Sequence, residues 1–305
     1  MGLSKKQKTL ATIGVFTLVL AGCGLSALQQ VRNAVKSVGA SPDLQMVVSG
    51  SLAGSGSASA DKYLSVFSLH IDAASAKPGV ALSKAGKGNV SVDISLYYHT
   101  SPVFDMRLVG KSEYFRINLT PLQSLVPKSD ASKMEGLDLG LGGRWFQVPP
   151  SYLAQLTKQA NGNPAAQAKV RQGSASMMSA LGQIIENRST ISALSGGGFQ
   201  AKGSLLSAFN TLAPAIQQMT GKAPSPTKIT GTYVINMSTT GGTMTGASLS
   251  ISNQGRTAEI EVALSHLSKP VPLPAHIAEL PKAIVDGLVA RPSAAPASAA
   301  GFSQG

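Results

Sequence analysis

Cysteine is almost missing from this chain: its 305 residues hold one, Cys23. One thiol cannot close an intramolecular disulfide, and it cannot supply a CxxC redox pair, a zinc ribbon or an iron–sulfur cluster. Aromatic residues are scarce at 5%, with Trp145 the only tryptophan, and charged residues make up 13%. That charge fraction, beside 43% hydrophobic residues, excludes a chain disordered throughout. The apolar stretch Leu10 to Ala21 is a dozen residues, short of the about 20 that a spanning helix needs.

Catalytic patterns are equally thin. Gly301-Phe302-Ser303-Gln304-Gly305 spells a nucleophile elbow, but it ends the chain with no helix or triad partner after it. Ser59-Ala60-Asp61-Lys62 and Ser225-Pro226-Thr227-Lys228 match S-x-x-K without the accompanying S-D-N and K-T-G elements. Gly110-Lys111-Ser112 lacks the earlier glycine of a phosphate loop, since position 105 is Asp105. His70, His99, His266 and His276 have no partner at metal-ligand spacing, so no metal site and no cofactor is expected. The reading is that the protein is not an enzyme.

The N-terminus carries the clearest signal. Lys5, Lys6 and Lys8 precede the apolar stretch, which ends in Leu20-Ala21-Gly22-Cys23. This layout is a signal peptide rather than a membrane span. The terminal tetrapeptide resembles a bacterial lipobox, which implies cleavage between Gly22 and Cys23 and lipidation of the Cys23 thiol. The competing reading is an ordinary secretory signal that happens to contain a cysteine. A lipidated Cys23 places the protein at the cell membrane, anchored on the extracytoplasmic face.

The formal net charge of +12 falls to +9 once the three leader lysines are removed. The basic residues are scattered singly, as at Arg32, Lys36, Lys62, Lys77, Lys84 and Lys87. With no basic run or basic–aromatic interleaving, no nucleic-acid partner is expected. Weak attraction to anionic lipid headgroups and simple solubility both remain as readings of the surplus. No protein partner is indicated.

Periodicity divides the rest. Residues 1–22 are the leader, 23–40 an anchor-proximal segment with a short helix over 26–38, 41–285 one domain, and 286–305 an Ala/Pro-rich tail read as disordered. Alternation predicts strands at 45–52, 63–72, 90–98, 103–109, 112–119 and 144–148, with a hairpin turn at Gly110-Lys111. Thr120-Pro121 is expected to open a short helix with Thr120 as its cap, and residues 136–143 read as a Gly/Leu-rich connection. Residues 151–220 read as helical, broken at Gly196-Gly197-Gly198, with a kink or two short helices at Pro214. A three-stranded meander follows over 228–266, and the prolines at 270, 272 and 274 are expected to end regular pairing. The fold class is therefore α+β, an antiparallel sheet with helices on one face.

The strand FDMRLV, the hairpin into SEYFRINL, the helix TPLQSLV, the segment GGRWFQV and the ending EIEVALSHLSKPVPLPA resemble a pattern in lipoproteins of high-GC Gram-positive bacteria. These are similar in organisation to the LppX/LprG and LolA-like lipid carriers. The resemblance implies a curved, half-barrel-like sheet with helices covering its concave face, and a lipid ligand held between them. Candidate lining on the sheet is Ile94, Leu96, Met106, Leu108 and Ile117; on the helices it is Leu181, Ile185, Phe209 and Ile216. Two readings stand: a carrier of a lipid or other apolar ligand, or a non-catalytic surface scaffold or partner-binding lipoprotein with no small-molecule ligand; the same apolar residues could equally close into a solid core.

Overall fold

The computed structural model describes residues 37–54, 65–86, 88–149, 164–224, 229–267 and 269–279. Cys23, Gly22, both S-x-x-K lysines, the elbow-like C-terminus and the tail lie outside the described residues. So does most of the expected helix over 26–38, of which residues 37 and 38 are described and helical, within a helical stretch 37–40.

Among the described residues twelve strands form one open sheet. In chain order they are β1 (Asp43–Ala53), β2 (Phe67–Ser75), β3 (Val90–Tyr98), β4 (Ser101–Val109), β5 (Ser112–Ile117), β6 (Trp145–Gln147), β7 (Ser189–Ala193), β8 (Gly198–Ser204), β9 (Thr232–Thr240), β10 (Thr243–Asn253), β11 (Arg256–Ser265) and β12 (Ile277–Ala278). A 3₁₀ turn spans Thr120–Leu125, and the helices are α1 (Lys128–Leu141), α2 (Pro164–Arg188) and α3 (Leu205–Thr220). The spatial order is β12-β6-β5-β4-β3-β2-β1-β11-β10-β9-β8-β7. Every pairing is antiparallel except that of β12 with β6. Two meanders thus run outward from a seam where β1 pairs with β11, with Gln45 opposite Ser265.

The turns follow residue chemistry. Gly110 has φ +63° while Lys111 stays at negative φ, as the first position of a type II′ turn requires. Gly241-Gly242 and Gln254-Gly255 have positive φ at both central positions, the pattern of a type I′ turn.

Four sequence expectations are corrected. Residues 189–204 are not helical but form the β7–β8 hairpin. Ser189 to Ala193 is a short, half-exposed edge strand, and Gly197 and Gly198 take φ of +91° and +109°. A Cβ at Gly198 would run into the Met237 carbonyl of β9, so the glycines let β8 join the sheet rather than separate two helices. Residues 136–143 mostly belong to α1, not to a loop. Thr120 does not cap the 3₁₀ turn: its hydroxyl donates to Asp138 Oδ2 at 2.6 Å, and Asp138 Oδ1 accepts from the Leu119 amide at 2.9 Å. The prolines do not end pairing for good, because Ile277 and Ala278 return to the edge of β6. Pro214 lies within α3, which stays one helix from Leu205 to Thr220.

The helices anchor at the ends of the sheet. Ile184 of α2 and Ala208 of α3 are buried with Tyr233 of β9, and Leu205, Leu212, Ile235, Leu249 and Ile251 pack around them. At the other end Leu141 of α1 is buried, and Gly142 bridges to Ile117 of β5.

Candidate functional site

Residues paired across an antiparallel ladder share a face. One row of direct partners runs Leu264–Met46–Ile71–Ile94–Met106–Phe115–Phe146 across β11, β1 and β2 to β6. A second runs Phe199–Met237–Ala247–Val262–Val48–Leu69–Leu96–Phe104–Ile117, from β8 to β5. The sheet therefore has one continuous apolar face. Its burial is uneven. Met46, Met237, Met244 and Leu264 form a closed cluster beside the seam, and Phe146 is 1% exposed. Between them Leu69, Ile71, Ile94, Leu96 and Phe104 are only half-buried, and Met106 is 37% exposed. Ile260 is 49% exposed because its partner on β1 is Gly50, which brings no side chain to cover it.

This sorts the expected lining. Ile94 pairs with Met106, Val92 with Leu108, and Leu96 and Ile117 both with Phe104, so the five sheet candidates share the apolar face. The helix candidates lie elsewhere. Ile185 is buried with Ala201, next to Ile191 and Ile235 at the β7–β9 end. Phe209 and Ile216 are half-buried on α3. Leu181 falls on α2, and its side chain is outside the described residues. In the sheet, β2, β1, β11 and β10 separate the strands around Ile185 from the sheet candidates on β3 to β5. A depression of about 580 Å³ lies between α2 and α3, lined by Gln183, Arg188 and Asn210 among others, and includes none of the candidates.

The opposite face carries a charge lattice that periodicity alone did not single out. Arg107 Nε donates to Asp93 Oδ2 at 2.7 Å, and Arg116 donates to Asp105 Oδ2 at 2.7 Å. Ser95 Oγ donates to Asp105 Oδ1 at 2.6 Å. The indole of Trp145 is buried against both guanidinium groups, at 4.3 Å from Arg107 and 5.0 Å from Arg116. Burial raises the Asp72 carboxyl above the usual range. The Gln45 amide opposes this, Asp93 adds to it, and His70 and Arg107 oppose it. Burial, reinforced by Asp105 and Asp93, also raises Tyr97. Each arginine already holds a carboxylate, so the lattice ties β3, β4, β5 and β6 together rather than offering a free charge. Its signal in the sequence was the spacing of Asp105 and Arg107, two residues apart on one strand face.

Two serine–histidine contacts invite a nucleophile reading. Ser41 Oγ and Asp43 Oδ1 both approach Nδ1 of His266, at 3.3 and 3.0 Å. A relay needs the serine and the acid on different ring nitrogens, so this is a surface clip at the start of β1. Ser68 Oγ meets His70 Nε2 at 3.0 Å, and Tyr97 stacks on the ring at 4.4 Å. No acid orients the other nitrogen among the contacts of the described residues, and no three metal-ligating side chains converge there. No helix among the described residues is long and apolar enough to cross a membrane. No protein-family model matches the chain, and comparison with curated proteins gives no match.

Proposed function

We propose that this chain is an exported lipoprotein, anchored through Cys23, that binds or transfers a lipid or other apolar ligand along the apolar face of its sheet. One observation carries the reading: that face runs unbroken from β8 to β5, yet its middle is half-covered, with Met106 and Ile260 open. A sheet with no ligand to hold normally buries such a face. On this reading the sheet curves with its apolar side inward. Helices α2 and α3 close one end, α1 closes the other, and the ligand lies between. Soft methionines at Met46, Met106, Met237 and Met244 suit a flexible acyl chain. The function has no catalytic step.

The test is titration of the full chain with a fluorescent fatty acid and a fluorescent phospholipid. Saturable micromolar binding is expected. Ile260→Glu should weaken binding strongly and lower stability little, because the side chain is already half-exposed. If neither probe binds at micromolar concentration, the carrier reading falls and the non-catalytic scaffold replaces it. Anchoring has its own test: Cys23→Ala should leave the protein unprocessed or released from membranes. Full processing with retained membrane attachment would overturn the lipobox reading.

A further inference from the structure

The depression between α2 and α3 is lined mostly by polar side chains. Gln183, Arg188, Ser204, Ser207 and Asn210 line it. None of these five side chains has a hydrogen-bond or ion-pair partner among the described residues. On the half-buried sheet, by contrast, Gln200 donates to Asn236 Oδ1 at 3.0 Å, and Asn236 donates to Ser248 at 3.1 Å. Among the described residues the lining holds one cation, Arg188, and no carboxylate. A guanidinium placed among hydroxyls and carboxamides is matched to a phosphate or carboxylate, which it can grip with two parallel bonds. Pro214 also lines the depression and has no N–H to give the Asn210 carbonyl four residues earlier. The volume of about 580 Å³ falls within the usual range for small-molecule sites, about 300–1,000 Å³.

We propose that this depression binds a hydroxylated phosphate ester, with Arg188 on the phosphate and Asn210, Ser204 and Ser207 on its oxygens and hydroxyls. The ester could reach the site as a free polyol phosphate or as a phosphoglycerol lipid headgroup. The site is separate from the apolar face, so it stands whether or not an acyl chain binds there.

The experiment is calorimetric titration of the full chain in non-ionic detergent with two probes. One is glycerol 3-phosphate; the other is a short-chain phosphatidylglycerol kept below its micelle concentration. Saturable binding of at least one probe, in the millimolar range or tighter, is expected. Saturation by the lipid alone, weakened in Arg188→Gln, assigns the headgroup as the source; saturation by both assigns the free ester as well; lipid binding that Arg188→Gln leaves unchanged belongs to the apolar face and overturns this site. Arg188→Gln should weaken binding about tenfold or more, the loss of one charge-assisted pair, while Arg188→Lys should retain part of it. Both variants should keep the wild-type melting temperature, because Arg188 is exposed. Equal affinity in Arg188→Gln, or no saturable binding of either probe, overturns the proposal.

Discussion

Single residues on the polar face set testable energies. The fold holds the Asp72 proton more tightly than the unfolded chain does, because burial raises its carboxyl. The penalty for ionising it is therefore present above its folded titration point and disappears as pH falls below the carboxylate range. Asp72→Asn keeps an acceptor for the Gln45 amide, which now donates to Oδ1 at 3.2 Å. Its melting temperature at neutral pH should equal or exceed that of the parent, and the difference should close on acidification. Tyr233 is the counterpart on the apolar side. Its hydroxyl meets Ser189 Oγ at 2.7 Å and the Arg188 carbonyl at 3.4 Å, and burial raises its ionisation above the ordinary value. Tyr233→Phe should cost about 1 kcal/mol in urea unfolding at neutral pH. Wild type should also lose stability as pH rises past the ordinary phenol value, where only the unfolded chain ionises freely, and the variant should lack that part of the decline.

Elements were legible in the sequence to the degree that their signals were local. Val90 to Tyr98 alternates without interruption, and β3 has those bounds. The hairpins at Gly110-Lys111 and Gly241-Gly242 were written in their turn residues. The β7–β8 hairpin was not, because Gly196 to Gly198 between two apolar stripes reads equally well as a break between helices. Only the backbone of β9 decides between them, through the close approach at Gly198. Gly198→Ala should therefore destabilise by several times the usual Gly-to-Ala effect, since it meets both a positive φ and the Met237 carbonyl. A melting temperature within a degree of wild type would contradict that role. The candidate site was legible by half. Alternation put Ile94, Leu96, Met106, Leu108 and Ile117 on one face, but periodicity in a helix does not say which strands that helix covers. Ile185 accordingly lies against Ala201 of β8.

At the scale of the molecule, two meanders are joined by one pairing, β1 with β11, and by the cluster of Met46, Met237, Met244 and Leu264 beside it. Leu264→Ala should cost about 2–5 kcal/mol by opening a cavity there. If the seam makes the sheet one cooperative unit, hydrogen exchange should quicken in β3 and β9 alike. Faster exchange in β9–β11 alone would mean that the halves unfold separately.

The seam also sets an order of events. Gln45 and Ser265, which face each other across it, are 220 positions apart in the chain. At the usual elongation rate of about 5–20 residues per second, roughly ten to forty seconds separate the appearance of β1 from that of the strand that covers its edge. Once Gln147 has been made, β1 to β6 can pair with one another while the other side of β1 stays unpaired and open to foreign strands. Only the synthesis of Arg256 to Ser265 closes it, so a chain halted before Arg256 presents a ready template for aggregation.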